Sequence, residues 1–203
     1  MFLANSFDDH SWACSYFNYA GIWKPIVLLQ QVLLTLSHLI LPVLVLLKFK
    51  FTIVTAVLLP YAIVSYPLLI EDFRNKRLPN RMIYPATIAT LIIITAYAIY
   101  RHDFGIFSQP VGRAIISFLI SLVLYLIARG GFGAGDVKLF FLSGLTLGIF
   151  TPAHLIAATI FACLGVALFA IVLLITKRAS SKTTVPFGPF IIIGSWLAVL
   201  LFN

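Results

Sequence analysis

Long apolar runs separated by short polar stretches set the rhythm of this chain. Seven runs stand out, at 26–47, 51–70, 82–100, 111–128, 136–150, 154–175 and 186–202. Most approach the ~20 residues that carry a helix across ~30 Å of hydrocarbon. The pattern predicts an all-α fold, a polytopic membrane helix bundle of about seven transmembrane helices, with six to eight as the range. Residues 1–25 do not follow the pattern: they form a mixed tail rich in aromatics (Trp12, Tyr16, Phe17, Tyr19, Trp23), expected to lie at the bilayer interface. The expected organisation is therefore this tail followed by one membrane-embedded domain, 26–203.

Two of the runs are irregular. The first carries Gln30, Gln31, His38 and Pro42, yet Gln31, Thr35 and His38 recur at i, i+4, i+7 and so share one helical face. Such a stripe is expected to point into a bundle, with His38 a satisfied interior histidine rather than a catalytic one. The fifth run is short, 15 residues from Asp136 to Phe150, or about 22 Å as a helix. Asp136 is therefore expected near one membrane surface. Gly144 and Gly148 in that run form a GxxxG pair, which permits close helix packing. Packing within the chain is the preferred reading, with a homodimer as the alternative.

Composition excludes a soluble globular domain: 62% of the residues are hydrophobic and 10% charged, with a mean hydropathy of +1.08. The formal charge of +8 is spread over several loops, which argues against a nucleic-acid partner and for a bias across the bilayer. If the tail and the loops at 71–81, 129–138 and 176–185 share one side, that side holds ten of the 14 Lys and Arg. The positive-inside rule makes it cytoplasmic. The first residues lack a basic segment, so no cleavable signal peptide is expected. Cys14 and Cys163 are far apart and form no CxxC pair, and His10, His102 and His154 show no ligand spacing, so neither metal nor cofactor is expected.

Against this apolar background the acids are few, six in all. Asp8 and Asp9 lie in the tail and Asp103 in a loop of the opposite side. Glu71, Asp72 and Asp136 all fall where helices meet the cytoplasmic surface, and acids at the edge of hydrocarbon are costly enough to suggest function. Tyr61, Ser65 and Asp72 share a helical face provided Pro67 does not rotate it away. Asp136 follows Gly130-Gly131-Phe132-Gly133-Ala134-Gly135 and would open its helix, where free N–H groups favour a carboxylate. Two carboxylates brought together share a proton and can supply both the base and the acid of peptide hydrolysis. Gly133 and Gly135 would let a substrate strand run close to the backbone. Lys138 is expected on another face of the helix as an interfacial anchor, with contact to substrate or lipid phosphate as the alternative. Spacing alone leaves three readings open: helix caps with a simple turn, a proton-coupled transporter, and a catalytic dyad. A transporter should show internal repeats and a polar lining at mid-membrane, and no repeat is visible.

The motifs themselves resemble a known family. Gly133-Ala134-Gly135-Asp136 matches the GxGD signature of membrane aspartic proteases, and its setting through Leu139 is similar to the bacterial type IV prepilin peptidases. Asp72-Phe-Arg-Asn-Lys-Arg-Leu-Pro79-Asn80 resembles that family's first aspartate with its basic stretch and Leu-Pro-Asn turn, a register that selects Asp72 over Glu71. Val185-Pro186-Phe187-Gly188-Pro189 is like the family's Pro-x-Gly-Pro opening of a late helix. The motifs bracket about 65–200 and leave the first helix outside. Presenilin and signal peptide peptidase share GxGD but not the basic Leu-Pro-Asn segment. The resemblance implies an aspartic endopeptidase of the inner membrane that removes the short basic leader of type IV prepilins at the cytoplasmic face. It implies Asp72 and Asp136 as catalytic residues, Pro79, Asn80, Gly133, Gly135 and Lys138 at the substrate, and prepilin and the bilayer as partners. Without the paired CxxC domain of longer relatives, the chain resembles the peptidase-only form of tight-adherence (Flp) pilus systems, and no N-methyltransferase activity is expected.

Overall fold

A computed structural model describes residues 39–127, 132–176 and 186–202. The expectations for the tail, for Gln31, Thr35 and His38, and for Gly130 and Gly131 lie outside these residues. Seven helices occupy the described residues, without strands: α1 (Leu39–Phe49), α2 (Ile53–Asn75), α3 (Asn80–Arg101), α4 (Gly105–Ile127), α5 (Ala134–Leu147), α6 (Pro152–Ile175) and α7 (Gly188–Leu201). Residues 41–203 form one compact unit and 1–40 another. Helices α2, α3, α4 and α6 are long and apolar enough to cross a membrane. The molecule is thus an all-α, polytopic membrane bundle.

The helices match the apolar runs, and the differences have local causes. α2 runs five residues beyond its apolar stretch because the mostly polar side chains from Glu71 to Asn75 do not break a helix; Lys76, at φ 50°, does. Its N–H closes the helix on the Asp72 carbonyl at 2.9 Å, the left-handed C-terminal cap that glycine usually provides. α4 starts at Gly105 rather than near 111, since Pro110 falls early in the helix and is accommodated there, buried. α5 begins two residues before Asp136.

Length sorts the helices by position. α5 and α7, 14 residues each and so roughly 21 Å long, are the most buried: ten residues of α5 are buried. The long helices surround them and keep broad apolar faces exposed, as expected where the solvent is lipid. Small residues permit the close approach. A Cβ on Gly144 would lie 2.7 Å from the Ser117 hydroxyl, and one on Gly148 would lie 2.6 Å from the Pro110 Cα. The GxxxG pair therefore packs within the chain, against α4. Gly194 plays the same part between α7 and α6, where a Cβ would meet the Ala158 carbonyl at 2.5 Å.

Candidate active site

Asp72 and Asp136, 64 residues apart in sequence, line one cleft of ≈ 350 Å³. The cleft is bounded by the end of α2, the turn into α3 and the start of α5. Both aspartates are buried, at 4% and 6% of full exposure. Tyr61, Ser65 and Asp72 are all buried on α2, so Pro67 leaves their shared face intact.

Each carboxylate has a helix N-terminus beside it. Asp136 is the third residue of α5, and its Oδ2 accepts the Gly133 N–H at 3.0 Å. That bond satisfies one of the four donors a helix start leaves free. Asp72 is placed oppositely, in the last turn of α2, where its own helix dipole disfavours a negative charge. The compensation comes from α7: the Gly188 backbone N–H is directed at the Asp72 carboxyl. A Cβ on Gly188 would lie 2.7 Å from Asp72 Oδ2. The remaining oxygens, Asp72 Oδ2 and Asp136 Oδ1, are buried and have no hydrogen-bond partner among the described residues. Buried acceptors without partners are expensive, and two of them lie in this one cleft.

The other expected residues fall around this pair. Gly133, Gly135, Asn80 and Lys138 line the cleft. Lys138, expected as an interfacial anchor on another face of the helix, lines the same cleft. Its Nζ donates to Asn80 Oδ1 at 2.9 Å and lies 5.3 Å from the centre of the Tyr84 ring, tying the starts of α5 and α3 together. Pro79 is not part of the lining; it caps α3, its carbonyl accepting the Met82 N–H at 3.1 Å. Gly135 serves a packing need of the chain itself, because a Cβ there would meet Leu78 Cβ at 2.8 Å. Glu71 is absent from the lining and accepts the Asn75 side-chain amide at 2.6 Å. Among the described residues no group of three or more His, Cys, Asp or Glu could hold a metal ion.

Sequence reading passed over three contributors. Gly188 was visible only as part of a motif; its contact with Asp72 spans 116 residues and has no local signal. Phe132 and Phe187 each adjoin a glycine motif, and their rings meet at 5.2 Å, with Phe140 at 6.2 and 6.1 Å completing the cluster. The cluster fastens the start of α5 to the start of α7, the two helix ends that face the carboxylates.

Comparison with known proteins supplies the family. Residues 59–175, more than half of the chain and including both aspartates, match the model of the type IV leader peptidase family. The chain belongs to that family. Among curated proteins, it is similar to a Bacillus subtilis (strain 168) protein named prepilin leader peptidase/N-methyltransferase, 39% identical over 134 residues, which cover 64% of this chain and 50% of that one. It is also similar to a Stutzerimonas stutzeri protein of the same name, 27% identical over 139 residues, covering 64% and 44%. The chain thus spans about half the length of the curated relatives it matches. No solved structure matches it. Gly188 lies outside the family match and joins the site through the fold alone.

Proposed function

We propose that the cleft is the active site of an aspartic endopeptidase that removes the leader of type IV prepilins, Flp-like ones among them, at the cytoplasmic face of the inner membrane. The observation that carries this is the meeting of Asp72 and Asp136, two buried carboxylates from separate helices, in a single cleft. Family membership and the relatives' names support the substrate class. Peptidase activity alone is proposed, since the matched residues hold both aspartates.

Two adjacent carboxylates share one proton, which leaves one as base and one as acid. The ionised carboxylate takes a proton from water as its oxygen attacks the scissile carbonyl. The protonated one gives its proton to the carbonyl oxygen, forming a tetrahedral gem-diol. On collapse the C–N bond breaks, a hydroxyl proton returns to a carboxylate, and the amine leaves with a proton from the other. The pair is back in its starting state. The titration belongs to the dyad, so neither role is assigned to one residue.

The test is leader removal, read as a gel shift, by purified enzyme in detergent given a candidate prepilin. Wild type should cleave without any ion gradient. Asp72→Asn and Asp136→Asn should each lose activity by a factor on the order of 10³ or more, since either change destroys the shared-proton pair. Glu71→Gln should stay within about threefold, because its carboxylate is bonded to Asn75 outside the cleft. An inactive Glu71→Gln enzyme beside an active Asp72→Asn enzyme would overturn the assignment of the dyad.

A further inference from the structure

Two turns beneath the cleft, the three helices that meet at the carboxylates are joined by hydroxyl groups. Ser65 lies seven residues before Asp72 on α2, Ser143 seven after Asp136 on α5, and Ser195 seven after Gly188 on α7. Seven residues of helix are about 10 Å, so the three serines lie at one depth. All three are buried, Ser65 completely.

The bonds run between helices. Ser143 Oγ and Ser195 Oγ are 2.7 Å apart, linking α5 to α7. Ser195 donates its proton to the Ile191 carbonyl at 2.7 Å, which makes Ser143 the donor of the shared bond. The Trp196 indole N–H donates to Ser65 Oγ at 3.0 Å, linking α7 to α2. Ser65 in turn donates to the Tyr61 carbonyl at 2.7 Å, and the Tyr61 ring stacks on Trp196 with centroids 5.6 Å apart. α7 is therefore bonded to both helices that carry an aspartate.

Apolar contact alone would set the sliding position of these helices poorly, because lipid tails are as apolar as the leucines they would replace. A hydrogen bond tolerates only a few tenths of an ångström, while a slip of one residue moves a helix by about 1.5 Å. We infer that Ser65, Ser143 and Ser195 are positioning residues: they fix the axial register of α2, α5 and α7, and so the placement of Asp72, Asp136 and the α7 N-terminus against one another. The inference rests on the proposed peptidase reading.

The experiment measures kcat and KM for prepilin cleavage with the full chain in detergent, together with Tm, for wild type and for Ser65→Ala, Ser143→Ala, Ser195→Ala and the Ser143→Ala/Ser195→Ala double variant. Thr90→Ala is the control, a buried α3 hydroxyl with no hydrogen-bond partner among the described residues. Misplacement of reacting groups acts on kcat, so each serine variant should lose about 10-fold in kcat with KM changed by no more than about twofold. The double variant should match either single one, because both remove the same bond. Thr90→Ala should keep wild-type kcat whatever its Tm. Serine variants with wild-type kcat, or losses that simply add in the double variant, would overturn the inference. If one alanine variant fails to fold, Ser65→Ala and Ser143→Ala probe different bonds and either decides. A wild-type protein that cuts no prepilin would instead sink the peptidase reading, and the two failures are distinct.

Discussion

Gly188 contributes no side chain, yet it governs how Asp72 is held. Its first additional atom would sit 2.7 Å from Asp72 Oδ2 and 3.2 Å from Leu78 Cδ1, so alanine must displace the carboxyl group or the turn beside it. A shift of about 1 Å in a reacting group can cost 10²-fold in rate. Gly188→Ala is expected to lower kcat for leader removal by a factor on the order of 10 to 10², with the protein still folded and inserted. Gly112→Ala is the matched control, since a Cβ there meets nothing within 4 Å, and it should retain full activity. Steady-state kinetics on the two variants decides the matter. Equal activity in both would remove Gly188 from the site. The aspartates, the glycines and Lys138 could be picked out of the sequence because residue type and neighbours carry the signal. The Gly188 contact could not, since nothing near either residue records which helix start reaches which helix end. Lys138 shows the same limit: helical spacing places it away from Asp136, and only the position of α3 brings Asn80 and Tyr84 to it.

At the scale of elements, α5 and α7 pose a problem that the long helices do not. Each is roughly 21 Å long, and the last carbonyls of any helix lack partners within it. In or near hydrocarbon those groups need donors. Two basic residues at the end of the molecule remote from the cleft supply them. Lys48 Nζ donates to the Val199 and Leu200 carbonyls at 2.9 and 3.0 Å, and the Arg113 guanidinium donates to the carbonyl of Gly148, the residue that caps α5, and to that of Phe150 just beyond it. Both arrangements also place a cation where the helix dipole favours one. Hydrogen bonds to charged groups contribute about 1.5–3 kcal/mol, so Arg113→Met and Lys48→Met should each lower stability by about 1–3 kcal/mol. Arg101→Met, exposed at the end of α3, should be close to neutral. Thermal unfolding in detergent, with activity followed in parallel, checks this. No loss of stability in Arg113→Met would mean that other donors reach those carbonyls. The existence of these helices was legible from apolar runs alone. Their partners were not, because in charge counting Lys48 and Arg113 are interchangeable with any other outer cation.

For the whole molecule, the chain places the candidate site at one end and its helix-capping cations at the other. α2 ends at the cleft, α3 and α5 begin there, and Gly188 opens α7 beside it. The end of α2, the turn after it and the start of α3 carry Arg74, Lys76, Arg77 and Arg81, the densest basic stretch of the described residues, and basic loops stay on the cytoplasmic side. A cytoplasmic cleft would meet a basic leader before that leader could cross the bilayer, as removal at that face requires. The orientation is testable without any enzyme assay. With Cys14 and Cys163 replaced by serine, Arg74→Cys and Phe104→Cys place single thiols at exposed positions at the two ends of the bundle. A membrane-impermeant maleimide should label position 104 in intact spheroplasts and position 74 only in inverted vesicles or after permeabilisation. Labelling of 74 from outside would put the cleft on the far face of the membrane. Leader removal would then have to follow translocation, and the cytoplasmic part of the proposal would fall while the dyad itself stood.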